Sequence, residues 1–232
     1  MKQLSCQASI RAKLTDSVYE VALELPEPLQ FAAGQYLQVV MGERDKRPFS
    51  IASCPSQTQQ LLLHIGASDD NPYALEVIAA IQQQQQLSIE VPLGDAHYRA
   101  DSERPLLLLA GGTGFSYVWS ILQAHLASGN GRPVTLYWGG RSANDLYLHS
   151  QLKRLADEYE QFDYRPVVEN ADADWRGAIG LVHHAAITEQ PQLAGHDVYV
   201  AGRFEMVRVV RDDFVAKGLP LANLYGDALA FI

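Results

Sequence analysis

Three apolar runs in the second half of the chain end in glycine, and segments with helical periodicity separate them. The runs end at Gly111-Gly112, at Gly139-Gly140 and at Gly202. Apolar runs that alternate with amphipathic helices are typical of parallel strands, because each crossover needs a connecting segment. Glycine at the end of such a strand permits the close approach of a ligand, at the edge where open α/β sheets bind ligands. The pattern predicts a doubly wound parallel-sheet domain.

The first half of the chain has a different pattern. Short apolar runs at residues 18–23, 36–40, 61–65 and 87–91 are separated by Gly, Pro and Asp. Several short strands at this spacing are typical of a small antiparallel barrel or sandwich. We therefore predict an N-terminal antiparallel β-barrel of the Greek-key type.

One helix and one boundary complete the expected organisation. Asn71 is a favourable N-cap and Pro72 suits the first helical position, so a helix is predicted to begin there, within the barrel. A polar stretch at residues 101–105 marks the change of pattern. The predicted domains are residues 1–101 and residues 102–232, and both are long enough to bury a core.

The formal net charge of −9 on 232 residues argues against some classes of function. An acidic chain without a Lys/Arg cluster lacks the attraction that dominates binding to nucleic acids, so neither nucleic acid nor an anionic membrane is an expected partner. No apolar run approaches the roughly 20 residues that span a bilayer, and the first residues do not resemble a signal peptide. Cys6 and Cys54 are expected to be reduced. We therefore expect a cytoplasmic protein.

Histidine spacing bears on metal binding. The seven histidines show no ligand spacing apart from the adjacent pair His183-His184. Neighbouring side chains on a helix point in different directions, so the pair is interpreted as polar surface residues. No metal site is predicted.

The turn Gly111-Gly112-Thr113-Gly114 follows a buried strand and opens a helix at Phe115-Ser116. Free backbone N–H groups and the positive end of the helix dipole favour a phosphate or a polar nicotinamide group at such a place. The turn has neither the GxGxxG spacing of the common dinucleotide fingerprint nor the lysine of a P-loop. A purely structural turn is the alternative that this motif alone leaves open.

A second motif, Arg47-Pro48-Phe49-Ser50, lies among the strands of the first half. Alone it is equally compatible with an exposed edge strand. The order of Gly34-Gln35-Tyr36, this motif, the glycine turn and residues 201–206 resembles the ferredoxin-NADP reductase superfamily. In that superfamily an Arg-x-aromatic-Ser/Thr segment holds a flavin and a Gly-Gly-Thr-Gly turn holds a pyridine dinucleotide.

Residues 43–50, 64–68 and 225–232 are similar to bacterial NAD(P)H-flavin oxidoreductases, whose relatives include the flavin reductases that serve luciferase. The resemblance implies hydride transfer from NADH or NADPH to riboflavin, FMN or FAD, held as a loosely bound substrate. It implies a catalytic role for Ser50. The flavin-binding residues that it implies are Arg47, Pro48, Phe49, Ser50, His64, Ile65, Gly66 and Ala67. The dinucleotide-binding residues that it implies are Gly111, Gly112, Thr113, Gly114, Phe115 and Ser116.

Several residues depart from the wider superfamily. Phe49 stands where many members have tyrosine, and Ala201 replaces a cysteine that often lies beside the nicotinamide. Hydride transfer survives both changes, because the flavin carries the chemistry. A lone strand histidine such as His64 is more often structural than catalytic. Asp69 and Asp70 bring negative charge to the loop that cradles the FAD diphosphate in tightly binding members, and this favours a weakly bound flavin.

Two alternatives stay open: a flavoprotein that holds FAD tightly and passes electrons to a protein acceptor, and a non-catalytic nucleotide-binding regulatory module with the same fold. No acidic residue follows Gly139-Gly140 to grip a ribose 2′-OH, so Arg141 is predicted to pair with a 2′-phosphate and NADPH to be used beside NADH. Expected recipients of reduced flavin are iron complexes, a monooxygenase, luciferase or oxygen. Phe231 is expected either to cover a flavin or nicotinamide ring or to anchor the core.

Overall fold

The alternating apolar residues of the first half form six strands in a computed structural model, which describes residues 1–190 and 192–232. The strands are β1 (Lys2–Lys13), β2 (Val18–Glu24), β3 (Tyr36–Val40), β4 (Lys46–Ser50), β5 (Gln60–Gly66) and β6 (Gln86–Leu93). Their order in the sheet is β4-β3-β6-β1-β2-β5, and each neighbouring pair is antiparallel. The predicted antiparallel architecture is confirmed.

The two edge strands of this sheet, β4 and β5, are linked just beyond the end of β4. The N–H of Ala52 donates to the carbonyl of Leu62 over 2.8 Å, and the N–H of Leu62 donates to the Ser53 hydroxyl over 3.2 Å. These bonds curl the sheet toward a closed barrel, which removes exposed sheet edges. Completely buried side chains such as Val21 and Leu37 contribute to its core.

Helix α1 (Pro72–Gln84) follows β5, where the sequence predicts a helix. Asn71 occupies the N-cap position, but its side chain does not cap the helix. Instead the Asn71 amide donates to the carbonyl of Gly66 over 2.9 Å and holds the preceding loop. Four apolar side chains of α1 join the core of the sheet: Ala74, Val77, Ile78 and Ile81.

The second half forms a six-stranded parallel sheet with the order β10-β9-β8-β7-β11-β12. Its strands are β7 (Leu106–Gly111), β8 (Val134–Gly140), β9 (Phe162–Val168), β10 (Ala178–Ile179), β11 (Asp197–Ala201) and β12 (Leu224–Tyr225). The helices between them are α2 (Phe115–Ser128), α3 (His149–Glu158), α4 (Val182–Glu189) and α5 (Phe204–Ala216). The chain starts at β7, moves outward to β10 and returns to the other side of β7 with β11. This is the predicted doubly wound order, with its switch point between β7 and β11.

The register of the sheet brings the glycine-ended strands together. Gly111 of β7 lies opposite Gly139 of β8, and Ala110 of β7 lies opposite Ala201 of β11. The three strand ends that the sequence singled out are therefore side by side at one carboxyl edge.

Two compact units divide the chain. One contains Met1–Tyr98 and Trp119–Ala124, and the other contains Arg99–Val118 and His125–Ile232. The middle of α2 thus groups with the first unit and its two ends group with the second.

One apolar residue of α5 lies outside the buried face of the helix. Val207, Val210 and Phe214 of α5 are buried, whereas Phe204 is 52% exposed. Phe204 is the first residue of the helix, and its ring meets the ring of Phe231 edge-on at 6.2 Å. Phe231 is itself 75% exposed, so it does not anchor the core.

Candidate functional site

Strand β4 and the start of helix α1 line a pocket of about 290 Å³ in the first unit. Hydrogen bonds from Arg47 of β4 to Tyr73 and Glu76 of α1 hold these two elements together. The lining residues are Asp45, Lys46, Arg47, Pro48, Phe49, Asn71, Tyr73 and Ala74. The pocket therefore gathers three of the four residues of the Arg47-Pro48-Phe49-Ser50 motif.

The guanidinium of Arg47 is engaged on several sides by its own unit. Nε and Nη2 donate to the Asp45 carboxylate over 2.9 and 2.5 Å, and Nη2 also donates to Glu76 Oε2 over 2.6 Å. Nη1 donates to the carbonyl of Tyr73 over 2.5 Å, and the Tyr73 ring lies 5.1 Å from the guanidinium carbon. The bond to Asp45, with that to Glu76, raises the pKa of Arg47, and the same bond lowers the pKa of Asp45. Arg47 is therefore a permanent cation balanced by two carboxylates.

The remaining motif residues differ in exposure along β4. Pro48 is exposed, whereas Phe49 and Ser50 are half-buried. Phe49 packs against the barrel core, and Ser50 lies opposite Tyr36 of β3. An aromatic side chain and a hydroxyl thus lie at consecutive positions at the end of one strand, where both are partly accessible.

Gln35 fixes the end of β4. Its carbonyl accepts a hydrogen bond of 3.1 Å from the N–H of Ile51, the residue after Ser50. Its side-chain oxygen accepts from the N–H of Ala32 over 2.8 Å, and its side-chain nitrogen donates to the carbonyl of Gly94 over 3.1 Å. Gln35 therefore restrains the backbone next to Ser50, which gives the Gly34-Gln35-Tyr36 segment a physical role.

The predicted flavin residues on β5 and just after it are mostly buried. His64, Ile65 and Ala67 are 6%, 0% and 3% exposed, and only Gly66 is half-exposed. Burial lowers the pKa of His64 to about 4. His64 is therefore neutral near pH 7, which favours a structural role over that of a proton donor.

The loop before helix α1 carries exposed negative charge. Asp69 and Asp70 are both exposed, and no side-chain hydrogen bond restrains either of them within the described residues. They stand just before a helix that the Asn71 side chain leaves uncapped. A diphosphate placed at this loop would meet two carboxylates.

In the second unit, the turn after β7 is crowded by its neighbours. A Cβ atom added at Gly114 would lie 2.5 Å from the carbonyl oxygen of Ala201, and one added at Gly111 would lie 2.6 Å from the sulfur of Met206. Gly112 differs, because it has a φ of +53° with open space around it. Glycine at these positions lets the turn pack closely against the end of β11 and leaves its outer side clear.

An aromatic cluster supports this turn. Phe115 stacks on Trp138 with ring centroids 3.8 Å apart, and Tyr147 meets Trp138 edge-on at 4.9 Å. The Trp138 indole donates to the carbonyl of Gly112 over 3.0 Å. Burial raises the pKa of Tyr147.

Phe115 and Ser116 are both buried, at 0% and 2% exposure. The exposed or half-exposed members of the predicted dinucleotide set in this turn are Gly111, Gly112, Thr113 and Gly114. Sequence reasoning missed Trp138 and Tyr147 as supporting residues, although Trp138 immediately precedes a glycine-ended strand terminus.

Arg141 follows β8 at the same carboxyl edge. Its side chain is exposed and makes no ion pair or hydrogen bond with any residue of the ranges 1–190 and 192–232. Only its backbone carbonyl is engaged, by the N–H of Asn170 over 2.8 Å. The guanidinium is therefore available to a ligand, as its predicted role requires.

A larger recess of about 790 Å³ lies elsewhere in the second unit. It is lined by residues such as Pro105 and His196, which precede β7 and β11 and so mark the amino edge of the sheet. Open α/β sheets bind ligands at the carboxyl edge. We therefore place the candidate dinucleotide site at the glycine turn and not in this recess.

The histidine pair is only partly on the surface. His183 is 5% exposed, whereas His184 is exposed, so the interpretation of both as polar surface residues is wrong for His183. The fold brings Asp213 to the pair, with His183 Nε2 3.8 Å from Asp213 Oδ2. That separation exceeds the spacing of about 3.3 Å between ligands of a tetrahedral zinc ion with bonds of about 2.0 Å.

Among the described residues, every helix falls short of the length and apolar character needed to cross a bilayer.

A family model described as the oxidoreductase NAD-binding domain matches residues 108–212.

Full-length relatives extend this match to both units. The chain is 45% identical to an NAD(P)H-flavin reductase of Vibrio harveyi and 42% identical to one of Aliivibrio fischeri, and each alignment covers 99% of both chains. The crystal structure of an Amycolatopsis cytochrome P450 reductase superposes with a TM-score of 0.86 at 26% identity, over 97% of this chain and 69% of that one. Because these relatives share such identity over the whole length, the chain belongs to the NAD(P)H-flavin reductase family, which has the ferredoxin reductase fold.

Proposed function

We propose that this chain transfers a hydride from NADH or NADPH to free flavin. NAD(P)H, a proton and oxidised flavin give NAD(P)+ and reduced flavin, and the hydride passes from nicotinamide C4 to flavin N5. The observation that carries the proposal is the alignment over 99% of the chain with relatives named NAD(P)H-flavin reductase. The separate motifs for a flavin and for a dinucleotide support it.

We assign flavin binding to residues 1–101 and NAD(P)H binding to residues 102–232. In the first part, the pocket beside β4 offers the partly accessible ring of Phe49 as a stacking surface for isoalloxazine. In the second part, the glycine turn stands at the switch point of a doubly wound sheet, where such folds bind dinucleotides.

Ser50 is the residue to which we assign the alignment of the reacting atoms. A hydroxyl both donates and accepts a hydrogen bond, so it can hold flavin N5 or the nicotinamide amide without a change of charge. The protein has to supply orientation and preorganised hydrogen bonds, while the flavin carries the redox chemistry. The rigid backbone next to Ser50, held by Gln35, suits this task.

Flavin is a diffusible substrate in this proposal. A resident FAD needs donors for its diphosphate, and arginine is the side chain best suited to supply them. Here Arg47 already donates to Asp45 and Glu76, and the nearby loop carries Asp69 and Asp70. The features that all flavins share, the ring and the ribityl chain, are then left to provide most of the affinity.

The test measures flavin content after gel filtration and then NADH oxidation with riboflavin, FMN and FAD. We expect nearly colourless protein, reduction of all three flavins and micromolar affinity, which corresponds to about −8 kcal/mol. Stoichiometric FAD that survives gel filtration would identify a tightly binding flavoprotein instead. Colourless protein that oxidises no NADH with any flavin would indicate a non-catalytic nucleotide-binding module.

Reduced flavin is proposed to leave the enzyme and either to reduce iron complexes or oxygen, or to bind to a monooxygenase or luciferase that uses it as a co-substrate. We place the reaction in the cytoplasm, a location that the free thiols Cys6 and Cys54 support. Anaerobic reduction of a ferric complex that requires this protein, NADH and catalytic riboflavin together would support the iron branch. Reduction at the same rate without riboflavin would exclude free flavin as the carrier.

A further inference from the structure

Arg47 lies at the centre of a charge cluster in the flavin pocket. Asp45 receives two of its hydrogen bonds and Glu76 receives a third, with donor–acceptor distances of 2.9, 2.5 and 2.6 Å. A fourth hydrogen bond goes to the carbonyl of Tyr73. The Arg47 side chain is 9% exposed, so the donors that face Asp45, Glu76 and Tyr73 are largely shielded from water. We name Asp45, Arg47 and Glu76 the Arg47 cluster.

The net charge of the Arg47 cluster is negative. One guanidinium and two carboxylates leave a charge of −1 beside a pocket of about 290 Å³, which Asp45 and Arg47 line and which Glu76 adjoins through its bond to Arg47. The other cation that lines the pocket, Lys46, is paired with Glu90 over 2.6 Å. Both basic side chains of the pocket are therefore matched by carboxylates.

This arrangement opposes recognition of phosphate. Arginine binds phosphate through parallel N–H donors, but the same donors of Arg47 already hold carboxylates. FMN differs from riboflavin only by a terminal phosphate, which carries a charge near −2 at neutral pH. A phosphate that entered the pocket would have to displace Asp45 or Glu76 or to remain beside them.

We propose that Asp45 and Glu76 set flavin selectivity by neutralising Arg47, so that the pocket gains nothing from a flavin phosphate and favours riboflavin over FMN. This inference rests on the proposed function, because it requires that the pocket beside β4 binds flavin. It assigns to two carboxylates outside the Arg47-Pro48-Phe49-Ser50 motif the role of specificity-determining residues. Glu76 reaches the cluster from helix α1, 29 residues away in sequence.

Charge can be removed from the cluster in steps. Glu76→Gln changes its net charge from −1 to 0, and the double variant Asp45→Asn/Glu76→Gln leaves +1. Both substitutions keep the shape of the side chain. The measured quantity is the ratio of the dissociation constant for FMN to that for riboflavin, obtained from quenching of flavin fluorescence. This ratio measures the effect of the phosphate on binding alone, since the two ligands share every other group.

We expect a ratio of 1 or more in the wild-type protein, and a fall of about tenfold at each step of the series, because each step removes one negative charge near the phosphate. The gain in FMN affinity of the variants over the wild-type protein should shrink as salt concentration rises, since exposed charges are screened. Riboflavin affinity should change much less than FMN affinity. A ratio that stays constant within twofold across the series would overturn the inference.

The control is Glu43→Gln, in the turn at residues 41–45. It removes the same charge from an exposed side chain that does not contact Arg47. An equal fall of the ratio in this variant would show a general effect of net charge and would also overturn the inference. Circular dichroism checks folding, and Asp45→Asn alone replaces the double variant if that variant does not fold.

The failure of the proposed function has a different outcome. If the wild-type protein neither binds nor reduces riboflavin, the proposed function is wrong. If it reduces riboflavin while the ratio stays constant in all variants, only the role of Asp45 and Glu76 is wrong.

Discussion

The indole N–H of Trp138 donates a hydrogen bond of 3.0 Å to the carbonyl oxygen of Gly112. Trp138 belongs to β8, whereas Gly112 belongs to the turn after β7, so the bond ties two neighbouring strand ends together. Stacking of Trp138 on Phe115 fixes the same turn from its helical side. The turn assigned to NAD(P)H is thus preorganised by the side chain of Trp138, which is completely buried.

Trp138→Phe should weaken nucleotide binding. The variant keeps an aromatic ring beside Phe115 but removes the donor to Gly112, and one hydrogen bond is worth about 0.5–1.5 kcal/mol. We expect the KM for NADH to rise about threefold to tenfold, with a smaller change in kcat. Trp175→Phe is the matched control, because the Trp175 indole also donates to a backbone carbonyl, that of Ala178, over 3.0 Å. Equal effects of both variants would show that the loss is one of general stability.

Ser50→Ala should slow hydride transfer. Loss of one preorganised hydroxyl is expected to lower kcat on the order of 10-fold to 1,000-fold, since such a donor contributes up to a few kcal/mol in a transition state. Single-turnover oxidation of NADH in the presence of excess riboflavin measures the step directly. Ser88→Ala, which removes a half-buried hydroxyl from β6, serves as the control. A folded Ser50→Ala protein with wild-type kcat removes Ser50 from the catalytic assignment.

Arg141 should decide how well NADPH is used. Its guanidinium is exposed and has no partner in the described part of the chain, so it can form a charge-assisted pair with a 2′-phosphate. Arg141→Ala should lower kcat/KM for NADPH about tenfold and leave that for NADH within twofold. Arg154→Ala, an exposed arginine on α3, controls for net charge. An unchanged ratio of the two kcat/KM values in Arg141→Ala would disprove this role.

His64 makes stability depend on pH. Burial lowers its pKa from an ordinary 6.5 to about 4, so the unfolded chain takes up a proton at a pH where the folded protein does not. The stability that comes from keeping His64 neutral is fully present above pH 6.5. The free energy of unfolding then falls by up to about 3 kcal/mol as the pH drops toward 4. Urea unfolding of the wild-type protein and of His64→Gln measures it. The variant should lose less stability over this interval, and identical losses would contradict the assignment.

The sequence correctly predicted those structural elements that are marked by residues close together in the chain. Glycine at the strand ends predicted the carboxyl edge, and Pro72 predicted the start of helix α1. Contacts between residues distant in sequence were not predictable in this way. Glu76 reaches Arg47 across 29 residues, because strand β4 and helix α1 happen to face one pocket. No spacing rule applies to such a pair.

Burial changed the interpretation of other residues. Phe115 and Ser116 follow the glycine turn directly, and sequence order alone places them with it as ligand contacts. In the folded chain both side chains are buried, and the Phe115 ring stacks on Trp138. The direction of a side chain at the first turn of a helix depends on the neighbouring strand, which a local pattern does not contain.

The crowding around the glycine turn limits which sequences can evolve at this edge. At Gly111 and Gly202 an added methyl group would meet the sulfur of Met206, the movable end of a flexible side chain. At Gly114 it would meet the backbone of Ala201 and Gly202, which cannot move without opening the sheet. A randomised library selected for folding should therefore return alanine at 111 and 202 together with a smaller residue at 206, but only glycine at 114. Substitutions that adapt the turn to a new nucleotide can then occur at the residues around Gly114, but not at Gly114 itself.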